Sequence, residues 1–145
     1  MTRVLRGMEE IAQAAGLDLG VTEWMDVNPE RVSRFAAAVG FPSAWPPIAP
    51  VAIDHLPEYF VLSLTNCFMP QLLEVDDVAM GVNYGTGEVR FPAPAPMGAR
   101  LRASGRIVEV AGVAGGAQTV TRLAVAAEGV DEPVCVVDAI SRWLA

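Results

Sequence analysis

The chain is poor in the groups that most enzyme chemistry uses. Among 145 residues it has one histidine, His55, and two cysteines, Cys67 and Cys135. No pair of them has the spacing of metal ligands, so a structural zinc site is not expected. The cysteines lie far apart, each in an apolar run, and read as buried free thiols of a reducing compartment. A nucleophilic Cys67 would have only His55 to activate it. The sequence has no G-x-G-x-x-G and no P-loop, so no cofactor is implied. No apolar run approaches the roughly 18 residues of a membrane span. Residues 1–16, MTRVLRGMEEIAQAAG, hold acids and no long apolar stretch, unlike a signal peptide. A cytoplasmic location is the default that follows. Positive charge is also scarce: the formal net charge is −7, which disfavours a nucleic-acid partner.

What is present suits a globular domain. The composition is 52% hydrophobic and 19% charged, and the length suits one domain over 1–145 with one sizeable core. Arg90, Arg100, Arg102 and Arg106 fall close together. They read either as a solvated strand face or as a docking site for an anionic carrier such as the phosphates of coenzyme A.

The apolar pattern changes period along the chain. Met8, Ile11, Ala12 and Ala15 share one face of a short helix that Gly16 stops. Residues 21–25 fit a brief strand. Asn28 and Pro29 open a second helix as cap and first residue, with Val32, Phe35, Ala36 and Val39 as its apolar stripe and Gly40 at its end. Four prolines in 41–50 exclude a regular element there and predict a shaped loop. Residues 54–73 are apolar nearly all round, which predicts a long, buried central helix capped by Asp54 and kinked or ended at Pro70. Strands follow: 80–82 and 88–91 around a Gly-rich turn at 84–87, and then a strand on which Leu101, Ala103, Gly105 and Ile107 alternate with Arg100, Arg102, Ser104 and Arg106. A turn at 112–116 leads to a strand facing inward through Thr119, Thr121, Leu123, Val125 and Ala127. A turn at 128–131 leads to a last strand over 133–143. A sheet with one apolar face needs cover, and the central helix is that cover. The expected class is α+β: a curved antiparallel sheet of about five strands around one long helix, the hotdog arrangement.

Several segments resemble the MaoC-like hydratases of the nodulation-protein-N type. MGVNYGTGEVRFPAPAPMGARLRA, at 80–103, is similar to their signature strand pair. LGVTEWMDVNPERVSRFAAAVG resembles their opening strand and helix, LSLTNCFMPQLLEV their central helix, and PVCVVDAISRWLA their last strand. The resemblance implies a hotdog fold and syn addition of water to a trans-enoyl thioester, or the reverse. In that family a G-D-x-x-x-x-H pair acts on water, and an I-A-H-G stretch supplies a glycine amide that polarises the thioester carbonyl. Here Phe41 follows Gly40 where the resemblance expects Asp, and the His position falls on Pro46 or Pro47. The I-A-H-G stretch matches Ile48-Ala49-Pro50-Val51, without its His or Gly. Neither Phe nor Pro exchanges a proton, so the ordinary hydration mechanism does not carry over.

The replacement candidates sit nearby. His55 lies beside Asp54, with Glu58 three residues on and Tyr59 four. A His next to a carboxylate is a competent general base, so His55 with Asp54 or Glu58 is a candidate relocated acid–base pair. The alternative is that Asp54 caps the helix, Glu58 answers its dipole and His55 is merely exposed. Ser63 and Asn66, inside the expected buried helix, either bond locally or point into a ligand cavity. Phe41, Trp45, Tyr59 and Phe60 are candidate walls of an apolar substrate tunnel, joined by Tyr84 in the signature turn. Two kinds of function stay open. One is an enzyme of dehydratase, isomerase or cyclase type acting on an acyl or polyketide-like substrate, linked to coenzyme A or a carrier. The other is a non-catalytic role, either as partner subunit of an intact hydratase or as a hydrophobic-ligand binding module. The resemblance implies pairing, as a homodimer or as a heterodimer.

Overall fold

A computed structural model of the chain describes residues 1–40 and 54–145. Five strands form the main sheet: β2 (Asp18–Val21), β4 (Met80–Arg90), β5 (Leu101–Val113), β6 (Gly116–Ala127) and β7 (Cys135–Leu144). Their order is β2-β5-β6-β7-β4, and every neighbouring pair is antiparallel. This is the expected five-stranded α+β arrangement. The period-two pattern decides which side faces in. Leu101, Ala103, Gly105 and Ile107 of β5 are buried, as are Ala117, Thr119, Thr121, Leu123, Val125 and Ala127 of β6 and Cys135 and Val137 of β7.

The helices cover that face. Helix α1 (Gly7–Ala12) buries Ile11 and packs on β5 and β6. Helix α2 (Pro29–Val39) starts as its sequence requires. The Asn28 side chain accepts a hydrogen bond from the Arg31 amide at 2.9 Å, Pro29 occupies the first turn, and Gly40 closes the helix at φ 73°. The covering segment is two short helices, α3 (Glu58–Ser63) against β7 and α4 (Thr65–Leu72) against β5 and β2. Phe60, Val61, Leu64, Phe68 and Leu72 from this pair join the buried sheet residues in one cluster.

The expectation of one long central helix over 54–73 is corrected in four ways. Asp54 does not cap it: the N-cap is Pro57, which offers no side-chain bond. The helix breaks at Leu64, where Ser63 Oγ donates to the Phe60 carbonyl and Thr65 Oγ1 to the Leu62 carbonyl, each at 2.7 Å. Hydroxyls bonded back to the preceding turn compete with the backbone ladder and bend helices. Pro70 neither ends nor divides the helix, since α4 continues to Leu72. The helix is also not buried all round, because Tyr59, Ser63, Asn66 and Cys67 are exposed.

Other boundaries differ too. The Gly-rich 84–87 is no turn: β4 runs unbroken from Met80 to Arg90 and absorbs the glycines as register shifts against β7. The early strand lies at Asp18–Val21, with Met25 adding only a single bridge to Leu101. A second, two-stranded parallel sheet joins β1 (Arg3–Arg6) to β3 (Leu73–Asp76). Neither strand was expected, since four residues are too few to display a period. Among the described residues, no helix is long and apolar enough to cross a membrane.

The thiols separate. Both are free, but Cys67 is exposed rather than buried, because it falls on the outer side of α4. Cys135 is buried, and desolvation pushes its thiol from an ordinary 9.0 up to about 11. A disulfide reagent is therefore expected to titrate one thiol in the native protein and two in denaturant. Between pH 9 and 11 the unfolded chain releases a proton that folded Cys135 retains. Stability should therefore fall as pH rises through that window, which denaturant titrations at pH 8 and pH 10.5 can check.

Candidate active site

Short backbone contacts bring the residues before α3 onto the segment that joins β4 to β5. Leu56 N–H donates to the Ala95 carbonyl at 2.7 Å, Met97 N–H donates to the Asp54 carbonyl at 3.1 Å, and His55 forms an isolated bridge with Pro96. Prolines lack an amide donor and hold an extended course, so residues 92–96 make a stiff wall. Asp54, His55, Pro94 and Pro96 line a cleft of about 300 Å³. A second, mostly apolar hollow of about 220 Å³ lies between α2 and the start of α3, lined by Phe35, Val39, Pro57, Glu58 and Tyr59.

The three titratable candidates come together. His55 Nδ1 lies 2.9 Å from Asp54 Oδ1, and His55 Nε2 lies 3.7 Å from Glu58 Oε1. The His55 hydrogen bond is the main reason that the Asp54 carboxyl is held below the usual carboxylate range. A bond to its own backbone and the imidazole charge add to the effect. Asp54 is thus ionised at neutral pH and fixes the ring. Nδ1 of the ring faces Asp54 and Nε2 faces Glu58. The imidazole side chain is 43% exposed, so solvent and a ligand can both reach it.

The other candidates are spread more widely. Phe60 is a core residue, its ring 5.4 Å from that of Phe35 in an edge-to-face contact. Tyr59 is 72% exposed, with its ring 6.2 Å from Phe91. Ser63 and Asn66 are not in a buried helix as expected. The Ser63 hydroxyl is used on the Phe60 carbonyl, and Asn66 Oδ1 accepts from Asn83 Nδ2 of β4 at 3.2 Å. Tyr84 lies in a strand rather than a turn, beneath the guanidinium of Arg142, which sits 3.5 Å from the ring centroid. Phe41, Trp45, Pro46 and Pro47, and with them the positions matched to the Asp and His of G-D-x-x-x-x-H, lie outside the described residues. So do Ile48–Val51; α3 begins at Glu58 after Pro57, which has no amide N–H, so the first backbone N–H at that helix start is that of Glu58. Sequence reasoning missed Pro94 and Pro96, which only the crossing of two chain segments brings beside His55. No group of three or more His, Cys, Asp or Glu among the described residues could hold a metal ion.

An antiparallel five-stranded sheet covered by a broken helix defines a hotdog-type fold. Similarity to known proteins narrows this further. The chain is 32% identical to the 3-hydroxyacyl-thioester dehydratase Z of Mycobacterium tuberculosis over an alignment of 153 positions, which takes in 99% of each protein. It therefore belongs to the MaoC-like acyl-thioester dehydratase family. The alignment is longer than the chain, so the relative carries residues with no counterpart here. Among solved structures, the MaoC-like dehydratase from Rhodospirillum rubrum superposes with a TM-score of 0.66 at 14% identity, over 90% of this chain and 92% of that one. The ChsH1-ChsH2 complex from Mycobacterium tuberculosis superposes with a TM-score of 0.64 at 15% identity, over 94% of each chain. No protein-family profile matches the chain.

Proposed function

We propose that this family member binds an acyl or polyketide-like thioester and moves its proton with His55, held by Asp54, in place of the family's Asp/His pair. The observation that carries this reading is the Asp54–His55–Glu58 arrangement at the mouth of α3, with imidazole contacts of 2.9 and 3.7 Å. His55 Nε2 takes the proton on the carbon next to the thioester carbonyl, and the two carboxylates stabilise the imidazolium that forms. The same group then returns the proton to a leaving hydroxyl, to another carbon, or to the product of a ring closure. These give dehydration, isomerisation and cyclisation respectively. By the resemblance, Phe41 and either Pro46 or Pro47 fall at the positions of the usual pair, so this reading runs any elimination, and the hydration that reverses it, through His55 and not through that pair.

The test uses 3-hydroxyacyl thioesters of several chain lengths in deuterated water, with mass spectrometry of the α-carbon. Exchange or elimination faster than without protein is expected, and His55→Gln should slow it about 100-fold or more. An unaffected His55→Gln variant removes His55 from the mechanism. Hydration of crotonyl-CoA that His55→Gln leaves unchanged would show instead that the reaction runs through other groups.

A second reading, that of a partner subunit, has one observation in its favour. Strand β4 closes one end of the sheet, and Met80 through Glu88 are all exposed, including Met80, Val82 and Tyr84. Among the described residues nothing pairs with its outer side, and an edge of this length is a template for another chain. Sedimentation of the chain alone, and with an intact family member, separates the cases. A monomer that shifts only with the intact subunit favours this reading, and a stable homodimer favours the first.

A further inference from the structure

We infer that Arg102, laid on Trp24 at the start of β5, is a docking group for the phosphate of a phosphopantetheine-type thioester. This inference rests on the acyl-thioester reading above and adds the place where the carrier's charge is held.

The chain has no lysine, so every fixed side-chain cation is a guanidinium. Most of those around the sheet are neutralised. Arg90 meets Glu88, Arg122 meets Asp138 through two hydrogen bonds, and Arg100 grips Glu128 through two more at 2.8 and 2.6 Å. Three arginines lie over aromatic rings, and they differ. Arg142 stacks on Tyr84 and also donates to Gln118 Oε1. Arg102 stacks on half-buried Trp24, 4.3 Å from the ring centroid, and among the described residues it has no carboxylate or hydrogen-bond partner. Stacking fixes the plane of the guanidinium through its face and leaves its N–H edge open. A half-buried, oriented fork whose donors are all unused matches a phosphate, which can accept two parallel bonds. Arg100 lies 5.7 Å from the same ring, but Glu128 and the nearby Asp26 offset its charge, so Arg102 supplies the free donors.

The position suits such a ligand. Pro96 bridges to His55, and residues 96–102 span at most about 20 Å when extended. An extended pantetheine arm is of that order, so a phosphate on Arg102 can coexist with a thioester at His55. A local cation is also needed to bring a polyanion to a chain of net charge −7.

The test measures binding of butyryl-CoA, of butyryl-pantetheine, which has no phosphate, and of ADP, by calorimetry at low and high salt. Arg102→Met keeps the packing on Trp24, and Arg102→Lys keeps the charge without the fork; unchanged thermal unfolding confirms that each variant is folded. Arg102→Met should weaken butyryl-CoA about tenfold, reduce the salt dependence and leave butyryl-pantetheine unchanged, with Arg102→Lys intermediate. Equal binding of butyryl-CoA by wild type and Arg102→Met overturns the phosphate site while leaving the thioester reading intact. If neither thioester binds but ADP binds through Arg102, the site stands and the thioester reading falls. If none of the three binds, both fall.

Discussion

Replacing Phe68 by alanine is expected to lower stability by about 3–5 kcal/mol, the largest effect of any single truncation in the core. Phe68 is fully buried and heads the largest buried side chains in the molecule. It sits on α4, the helix that covers β5 and β2, so a cavity there opens the layer between helix and sheet rather than a margin of it. The break at Leu64 already costs α4 its continuity with α3, and eight residues are too few to hold a helix by propensity alone. Packing of Phe68 and Leu72 is therefore what keeps α4 in place. For a domain of this size, the loss corresponds to a fall in Tm on the order of 10 °C. Chemical denaturation should give a reduced midpoint with little change in slope. A loss under 1 kcal/mol would mean that the helix is not held by this side chain.

The opposite change, Gly105→Val, should cost about 3 kcal/mol by overfilling the same layer. Gly105 is buried in the central part of β5. A Cβ there would stand 3.0 Å from Leu72 Cδ1, 3.2 Å from Leu123 Cδ2 and 3.4 Å from Leu19 Cδ1. These are the ends of flexible leucines, so Gly105→Ala asks them to give only a few tenths of an ångström and should cost under about 1 kcal/mol. Valine adds two further methyls pointing at α4, β6 and β2 together, and no single rotamer change clears all three. The contrast is the measurement: Ala tolerated and Val not, in parallel melts. Equal tolerance would place a gap between α4 and the sheet that this geometry does not contain. Gly105 thus explains why a residue that weakens strands stands in the middle of one: it lets the helix approach.

How the candidate site came to be legible is uneven. Asp54, His55 and Glu58 stand out in the sequence because one histidine among 145 residues has two acids within three positions, and local spacing alone brings them together. The wall they face does not stand out. Pro94 and Pro96 lie about forty residues further along, and only the His55–Pro96 and Leu56–Ala95 contacts put them there. Ser63 and Asn66 were legible as polar residues in an apolar run, but not their exposure. That depends on where α3 stops and how α4 is then rotated, and it was decided by two hydroxyls bonding backward at Ser63 and Thr65.

The sequence by itself determined the elements whose signal is local. The α2 cap at Asn28 and the alternation that turns Leu101 and Ile107 inward are both readable from neighbours a few residues away. Tertiary structure alone decided what depends on distant partners. The short β1 and β3 exist because they pair with each other across about seventy residues, glycine-rich β4 is a strand because β7 holds it, and Arg102 has no carboxylate partner among the described residues because Trp24 came to lie against it. Backbone periodicity is written in adjacent residues, whereas strand pairing and side-chain company are settled only when the chain closes on itself.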